Sequence, residues 1–202
     1  METKDQILNG ANELFMRYGV KSITMDDIAR HLSVSKKTIY QYFEDKEALV
    51  TAVADMEMNC QACKWEEIEK SSKDVIEFFM KASDMMKEEF GKMNPVLLYD
   101  LKKYHSNAWK RFEKYKVEHI YKQIKEMLEM GIQQGYFRKD IHVDILSKMR
   151  LSQIEMMFNP EVFPIGQYNL SEISTQLLEH FIYGISTLKG HHRLNELKHI
   201  SD

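Results

Sequence analysis

The chain has 202 residues, 29% of them charged and 44% apolar, the composition of a soluble globular protein long enough to bury a core without disulfides or structural metal. A formal net charge of −3 excludes the global basicity of many nucleic-acid binders, so any DNA contact must come from a local cluster. Cys60 and Cys63 are too few for a disulfide framework, the opening METKDQILNG lacks a signal-peptide core, and no apolar run reaches membrane-span length, so a cytoplasmic protein without membrane attachment is expected.

Apolar residues at Ile7, Leu8, Ala11, Leu14, Phe15 and Tyr18 form a helical stripe over 4–18, and Gly19 is placed to end it with a left-handed cap. Thr24 and Asp27 resemble a capping box that opens a second helix with Ile28, Ala29 and Leu32 on its buried face. After the link SVS, Ser35 is a good N-cap for KKTIYQYF, with Val34 before it as a staple. Two helices of about two turns each, joined by a short link, have helix-turn-helix geometry. Asp45 can cap the next helix, which starts at Lys46 and runs to about Lys70.

Helices continue to the end of the chain. The segment 74–90 is apolar around much of its circumference and reads as central. Asn94–Pro95 starts a short helix reaching about Tyr104. A long helix over 107–134 carries the stripe Trp109, Phe112, Lys116, Val117, Ile120, Tyr121, Ile124, Met127, Leu128, Gly131 and Ile132, and Gly135 closes it. Another covers 143–158, stopped by Asn159–Pro160. After the loop PEVFPIGQYN, Asn169 and Glu172 suggest a capping box for a last long helix to about Lys189, ended by Gly190, with HHRLNELKHI as a frayed tail. The expected fold is all-α with about nine helices, a helix-turn-helix domain over 1–48 followed by a helical domain over 49–202.

The segment TMDDIARHLSVSKKTIYQYFEDKEAL carries the functional signal. Ile39 and Phe43, four residues apart, lock the second helix of the motif against Ile28 and Leu32. Lys36, Lys37, Thr38, Tyr40 and Gln41 are left outward, near the end that enters a major groove. Backbone N–H groups there, with Ser35 and the lysines, can take phosphate oxygens. Ala29, Leu32, Val34, Ser35, Lys36, Thr38, Tyr40, Tyr42, Phe43, Lys46, Glu47 and Leu49 fill a pattern of fixed offsets that resembles the N-terminal signature of the TetR family. The likeness covers roughly the first 50 residues, including ANELFMRYG. It implies phosphate contacts from Thr24, Tyr40, Tyr42 and Lys46, and base reading by Lys37, Thr38 and Gln41. Many relatives carry glycine where Lys37 stands and histidine where Tyr42 stands. Asp26, Asp27, Glu44, Asp45 and Glu47 keep residues 1–48 from being net basic, so binding should be modest without sequence preference and strongly salt-dependent.

The resemblance further implies a homodimer reading a palindromic DNA operator, joined through the helices 143–158 and 170–189. The stripe Leu170, Ile173, Leu177, Leu178, Phe181, Ile182, Ile185 and Leu188 needs cover, of which packing within one subunit accounts for half, and Gly184 and Ser186 allow close approach. It implies a cavity for a small organic effector that releases DNA. Candidate linings are Trp65, Phe78, Phe79, Met85, Met86, Tyr99, Tyr104, Trp109, Phe112, Tyr121, Met127 and Phe158, though residue by residue plain core packing is the better account. The 14 methionines suit an adaptable, largely apolar pocket. Cys60 and Cys63 read as helix-core cysteines, with redox sensing the lesser alternative. No nucleophile, phosphate-loop or metal motif suggests an enzyme or a cofactor. The rival reading is a helical small-molecule-binding or scaffolding protein with a non-functional helix-turn-helix, and an all-α enzyme stands third.

Overall fold

The computed structural model describes residues 3–198, and among these it is helical throughout, with two isolated bridges, Phe137–Ser186 and Ile165–Tyr168, but no strand. The helices are α1 (Thr3–Tyr18), α2 (Met25–His31), α3 (Lys36–Tyr40), α4 (Lys46–Ser71), α5 (Val75–Lys92), α6 (Leu97–Tyr104), α7 (Ser106–Tyr115), α8 (Lys122–Gln133), α9 (Val143–Met156), α10 (Leu170–Ile185) and α11 (Leu188–Lys198). None is long and apolar enough to cross a membrane.

The chain divides into two compact units. One holds the chain up to Gln61 together with Lys92–Tyr115, and the other holds Ala62–Gly91 and the chain from Lys116 onward. The first is built on Ile7, Ala11, Phe15, Ile28, Ile39, Phe43, Leu49 and Val53, joined by Leu97, Leu101 and Ala108. Here α1 and the end of α2 approach so closely that a Cβ on Gly10 would stand 2.5 Å from Leu32 Cδ2, so a larger residue would require the Leu32 side chain to shift. Gly19 ends α1 at φ 80°, the left-handed cap expected of it.

The second unit is built on Val75, Ile76, Phe78, Met127, Leu128, Phe137 and the α10 residues Leu178, Phe181, Ile182 and Ile185. A smaller cluster gathers Met157, Leu170 and Ile173 with Phe90 and Phe158.

Four expectations are corrected. The long helix over 107–134 is interrupted by a π-helical segment, Lys116–Tyr121, which shifts the register so that Val117 points to solvent at 60% exposure. The final helix stops at Ile185, where Ser186 turns extended, and Thr187 donates its N–H to the Tyr136 carbonyl. The tail is a helix, α11, held by buried Leu194 and by Gly190 against Tyr136; its last expected residues lie outside the described ones. Finally, Cys60 and Cys63 lie on the exposed side of α4 and are not core residues.

Candidate nucleic-acid interface

The local rules that shape the N-terminal motif are short-range hydrogen bonds. At the start of α2, Thr24 Oγ1 accepts from the Asp27 N–H (3.2 Å) while Asp27 Oδ2 accepts from the Thr24 N–H (3.0 Å), a complete capping box. The Thr24 hydroxyl, 2.6 Å from Asp27 Oδ2, and after it the Thr24 N–H hold the Asp27 pKa below its ordinary value. The turn to α3 passes through Ser33 at φ 55°, a left-handed position that favours glycine, and closes with the Val34 N–H on the Ala29 carbonyl at 3.0 Å.

Ser35 then caps α3, its Oγ accepting from the Thr38 N–H at 3.0 Å. Helix α3 is a single α-helical turn of five residues, shorter than expected, carried on by the Phe43 N–H donating to the Ile39 carbonyl at 3.0 Å. Ile39 is wholly buried and Phe43 nearly so, which fixes the rotation of the helix. Lys36, Lys37, Gln41 and the capping Ser35 are exposed, Thr38 is half-buried, and Tyr40 and Tyr42 are each 44% exposed. Two large phenols held in water, one on α3 and one in the turn after it, offer both apolar area and hydroxyls to a partner surface.

The cations are arranged unequally. Among the described residues Lys37 makes no ion pair, whereas Lys36 Nζ donates to Asp26 Oδ2 at 2.9 Å, which raises the lysine pKa. Lys46 is half-buried at the start of α4 and donates to the Val20 carbonyl at 2.6 Å. Burial lowers its pKa, against the opposing fields of Asp100 and Asp27. The acidic residues are mostly spent on structure. Asp27 caps α2, Asp45 Oδ1 caps α4 through the Ala48 N–H at 2.7 Å, and Glu47 accepts from buried His105 at 2.6 Å and from the Asn107 N–H at 3.2 Å.

Three polar ties escaped the sequence reading because they join residues far apart in the chain. Asn94 donates its backbone N–H to the Met16 carbonyl (2.7 Å) and its side-chain amide to that of Arg17 (3.2 Å). Buried Asp100 accepts from the Lys21 N–H at 2.9 Å, close to Gly19, where an added Cβ would stand 3.1 Å from the carboxylate. With the His105–Glu47 bond, these ties fasten α6 and its flanks to the end of α1 and the start of α4. No local pattern announces them.

The twelve candidate linings divide between the two units. Tyr99, Tyr104, Trp109 and Phe112 belong to the first unit. There Tyr99 and Tyr104 are exposed beside Lys103, and Trp109 stacks on Phe112 at 5.4 Å. The other eight belong to the second unit. Trp65, Phe78 and Phe79 form with Phe137 a run of ring contacts at 5.4–5.9 Å. Phe158 meets Phe90, Met86 receives a long contact from Ser174, and Tyr121 donates to Asp144. Met85 is half-buried. A cleft of about 440 Å³ in this unit touches two candidates, Phe78 and Met127, but its other walls include Glu66, Glu69, Lys70, Lys73 and Asp74, far more charged than an apolar pocket.

Residues 7–53 match the family model described as bacterial regulatory proteins of the tetR family. Over 166 residues the chain is 26% identical to the HTH-type transcriptional regulator YvaF of Bacillus subtilis, covering 82% of this chain and 86% of that one. Its fold is similar to that of a TetR-family transcriptional regulator from Agrobacterium tumefaciens, with a TM-score of 0.76 at 15% identity over 91% of this chain and 97% of the other. It is also similar to the transcriptional regulator FadR from Bacillus subtilis, solved in complex with stearoyl-CoA, with a TM-score of 0.67 at 21% identity over 90% and 98% of the two chains.

Proposed function

We propose that the chain, whose residues 7–53 match the family model of tetR-type bacterial regulatory proteins, is a ligand-responsive repressor, binding a palindromic DNA operator as a homodimer in the cytoplasm. The observation that carries this reading is the rotation of α3. Ile39 and Phe43 are buried, while Lys36, Lys37, Tyr40 and Gln41 stand in solvent on the same short helix and its C-terminal turn. An exposed polar face on a helix fixed from behind is what a major groove admits.

In this reading residues 1–48 are the DNA-binding domain and 49–202 the effector and dimerisation domain. Lys37, Thr38 and Gln41 read base edges. Thr24, Ser35, Lys36, Tyr40, Tyr42 and Lys46 hold phosphates, with Lys36 exchanging Asp26 for DNA and Lys46 using the donors left free by Val20. Homodimerisation uses the outer face of α9, where Ile145 and Met149 are 58% and 43% exposed. The α10 stripe contributes less, because Leu170, Ile173, Leu178, Phe181, Ile182 and Ile185 are already buried within one chain. The effector is a small, largely apolar molecule taken among the aromatic and methionine side chains of the second unit. It releases DNA in proportion to its preference for the non-binding arrangement.

Anisotropy titration of the promoter of the chain's own operon across a salt series, with sedimentation of the free protein, tests the reading. Tight binding by a dimer that weakens steeply with salt is expected. A strictly monomeric particle, or no binding at any salt, would favour a helical scaffold with a non-functional motif.

A further inference from the structure

Arg150 lies on α9 with 5% of its surface exposed, on the side of the helix that faces the core of the second unit. Its guanidinium sits over the Phe181 ring at 5.8 Å, and the one hydrogen bond it makes among the described residues is a long contact of 3.3 Å to Gln153 Oε1. Among the described residues no carboxylate pairs with it. Burial alone pushes its pKa down, to about 10, with no anionic neighbour to restore it. One turn earlier on the same face, Ser147 is completely buried and its hydroxyl has no hydrogen-bond partner.

A buried cation without a counter-charge, beside a buried hydroxyl without an acceptor, is costly in an interior whose neighbours are apolar. The other charges of this unit behave differently. Arg193 pairs with Asp74 and Glu196, Lys198 with Glu179, and Lys148 with Asp144. A second copy of the chain is poorly placed to supply the missing anion. At about 100° per residue, Ile145 and Met149 lie on the far side of α9 from Ser147 and Arg150, and it is that far side that is open to solvent.

We propose that Ser147 and Arg150 form the polar end of an effector site, receiving the carboxylate of an amphipathic organic acid whose apolar body lies among the apolar side chains of α5, α8 and α10, Phe78, Met127, Leu128 and Phe181 among them. The guanidinium offers a planar fork that matches a carboxylate bidentately, and the hydroxyl donates a further bond. The proposal rests on the second unit being the effector domain, and it adds the chemical class of the effector.

The test is thermal unfolding of the full-length protein with decanoate, hexanoate and cinnamate, each beside the alcohol of the same skeleton. Near ten times its dissociation constant, at least one acid raises the parent Tm by roughly 3–6 °C while its alcohol does not. Arg150→Met removes that response, and Ser147→Ala weakens it. Arg150→Met also raises the Tm of the ligand-free protein by roughly 2 °C or more, because it removes a charge that lacks a partner. Three results overturn the proposal: no acid exceeds its alcohol, Arg150→Met keeps the response, or Arg150→Met lowers the ligand-free Tm or fails to fold. The last would mean that the guanidinium is already satisfied within the chain. Operator binding measured on the same samples separates this outcome from that of the regulator reading. A protein that binds the operator and ignores the acids loses only the carboxylate site. One that responds to the acids and binds no operator loses only the regulator.

Discussion

The two units treat their polar groups in opposite ways. In the helix-turn-helix, the polar side chains that cap the helices are satisfied within three residues: Thr24 with Asp27, Ser35 with Thr38, Asp45 with Ala48. The polar groups buried in the same unit, Asp100 and His105, also have partners. In the second unit Ser147 and Arg150 are buried on one helix face with almost nothing to bond. A rigid reading head needs its groups satisfied at all times, because its outward side chains must hold one geometry. An effector domain gains its response from groups that are satisfied only with ligand bound.

The largest expected effect lies in the reading head. Ile39→Ala removes a wholly buried side chain and should cost about 2–5 kcal/mol, seen as a lower urea midpoint together with lost operator binding. A change under about 0.5 kcal/mol would mean that α3 is not pinned from behind. Next, Asp100→Ala strips a buried acceptor from the Lys21 N–H and should destabilise by about 1–3 kcal/mol, the opposite sign to Arg150→Met. Equal signs for the two substitutions would break the comparison between the units.

What the sequence announced and what it hid follow the same division. Thr24, Ser35, Asp45 and Gly19 were readable as caps because a cap is decided by neighbours three or four residues away. The apolar offsets of Ile28, Ile39 and Phe43 were likewise local, and they fixed which side of α3 faces out. The ties of Asn94, Asp100 and His105 to residues 58–79 positions away follow no periodicity. Neither does the π-helical segment at Lys116–Tyr121. Apolar spacing alone also does not show that Cys60 and Cys63 face solvent on α4, since a long helix can shed part of its stripe.

Smaller effects sharpen the picture of the motif. Ser33→Gly relieves a left-handed residue in the turn and should raise stability by about 1 kcal/mol, while Ser33→Val should lower it by at least as much. Calorimetry decides between these and a turn indifferent to the residue. The smallest effect is that of pH on the Asp27 cap. Its pKa is depressed in the folded chain, so its contribution is fully present above the ordinary carboxylate value of 3.8 and is lost as pH falls through the lower folded value. The stability gap between parent and Asp27→Asn should therefore close below that range in acid melts, and a gap unchanged with pH would discount the cap.

The most direct measurement compares the parent with Lys37→Ala and Gln41→Ala on a labelled duplex from the operon's own promoter. Both side chains are exposed and neither holds the fold, so melting temperature should stay unchanged while affinity falls about tenfold or more. Equal affinity for parent and both variants, with folding intact, would contradict a reading head built on the outer face of α3.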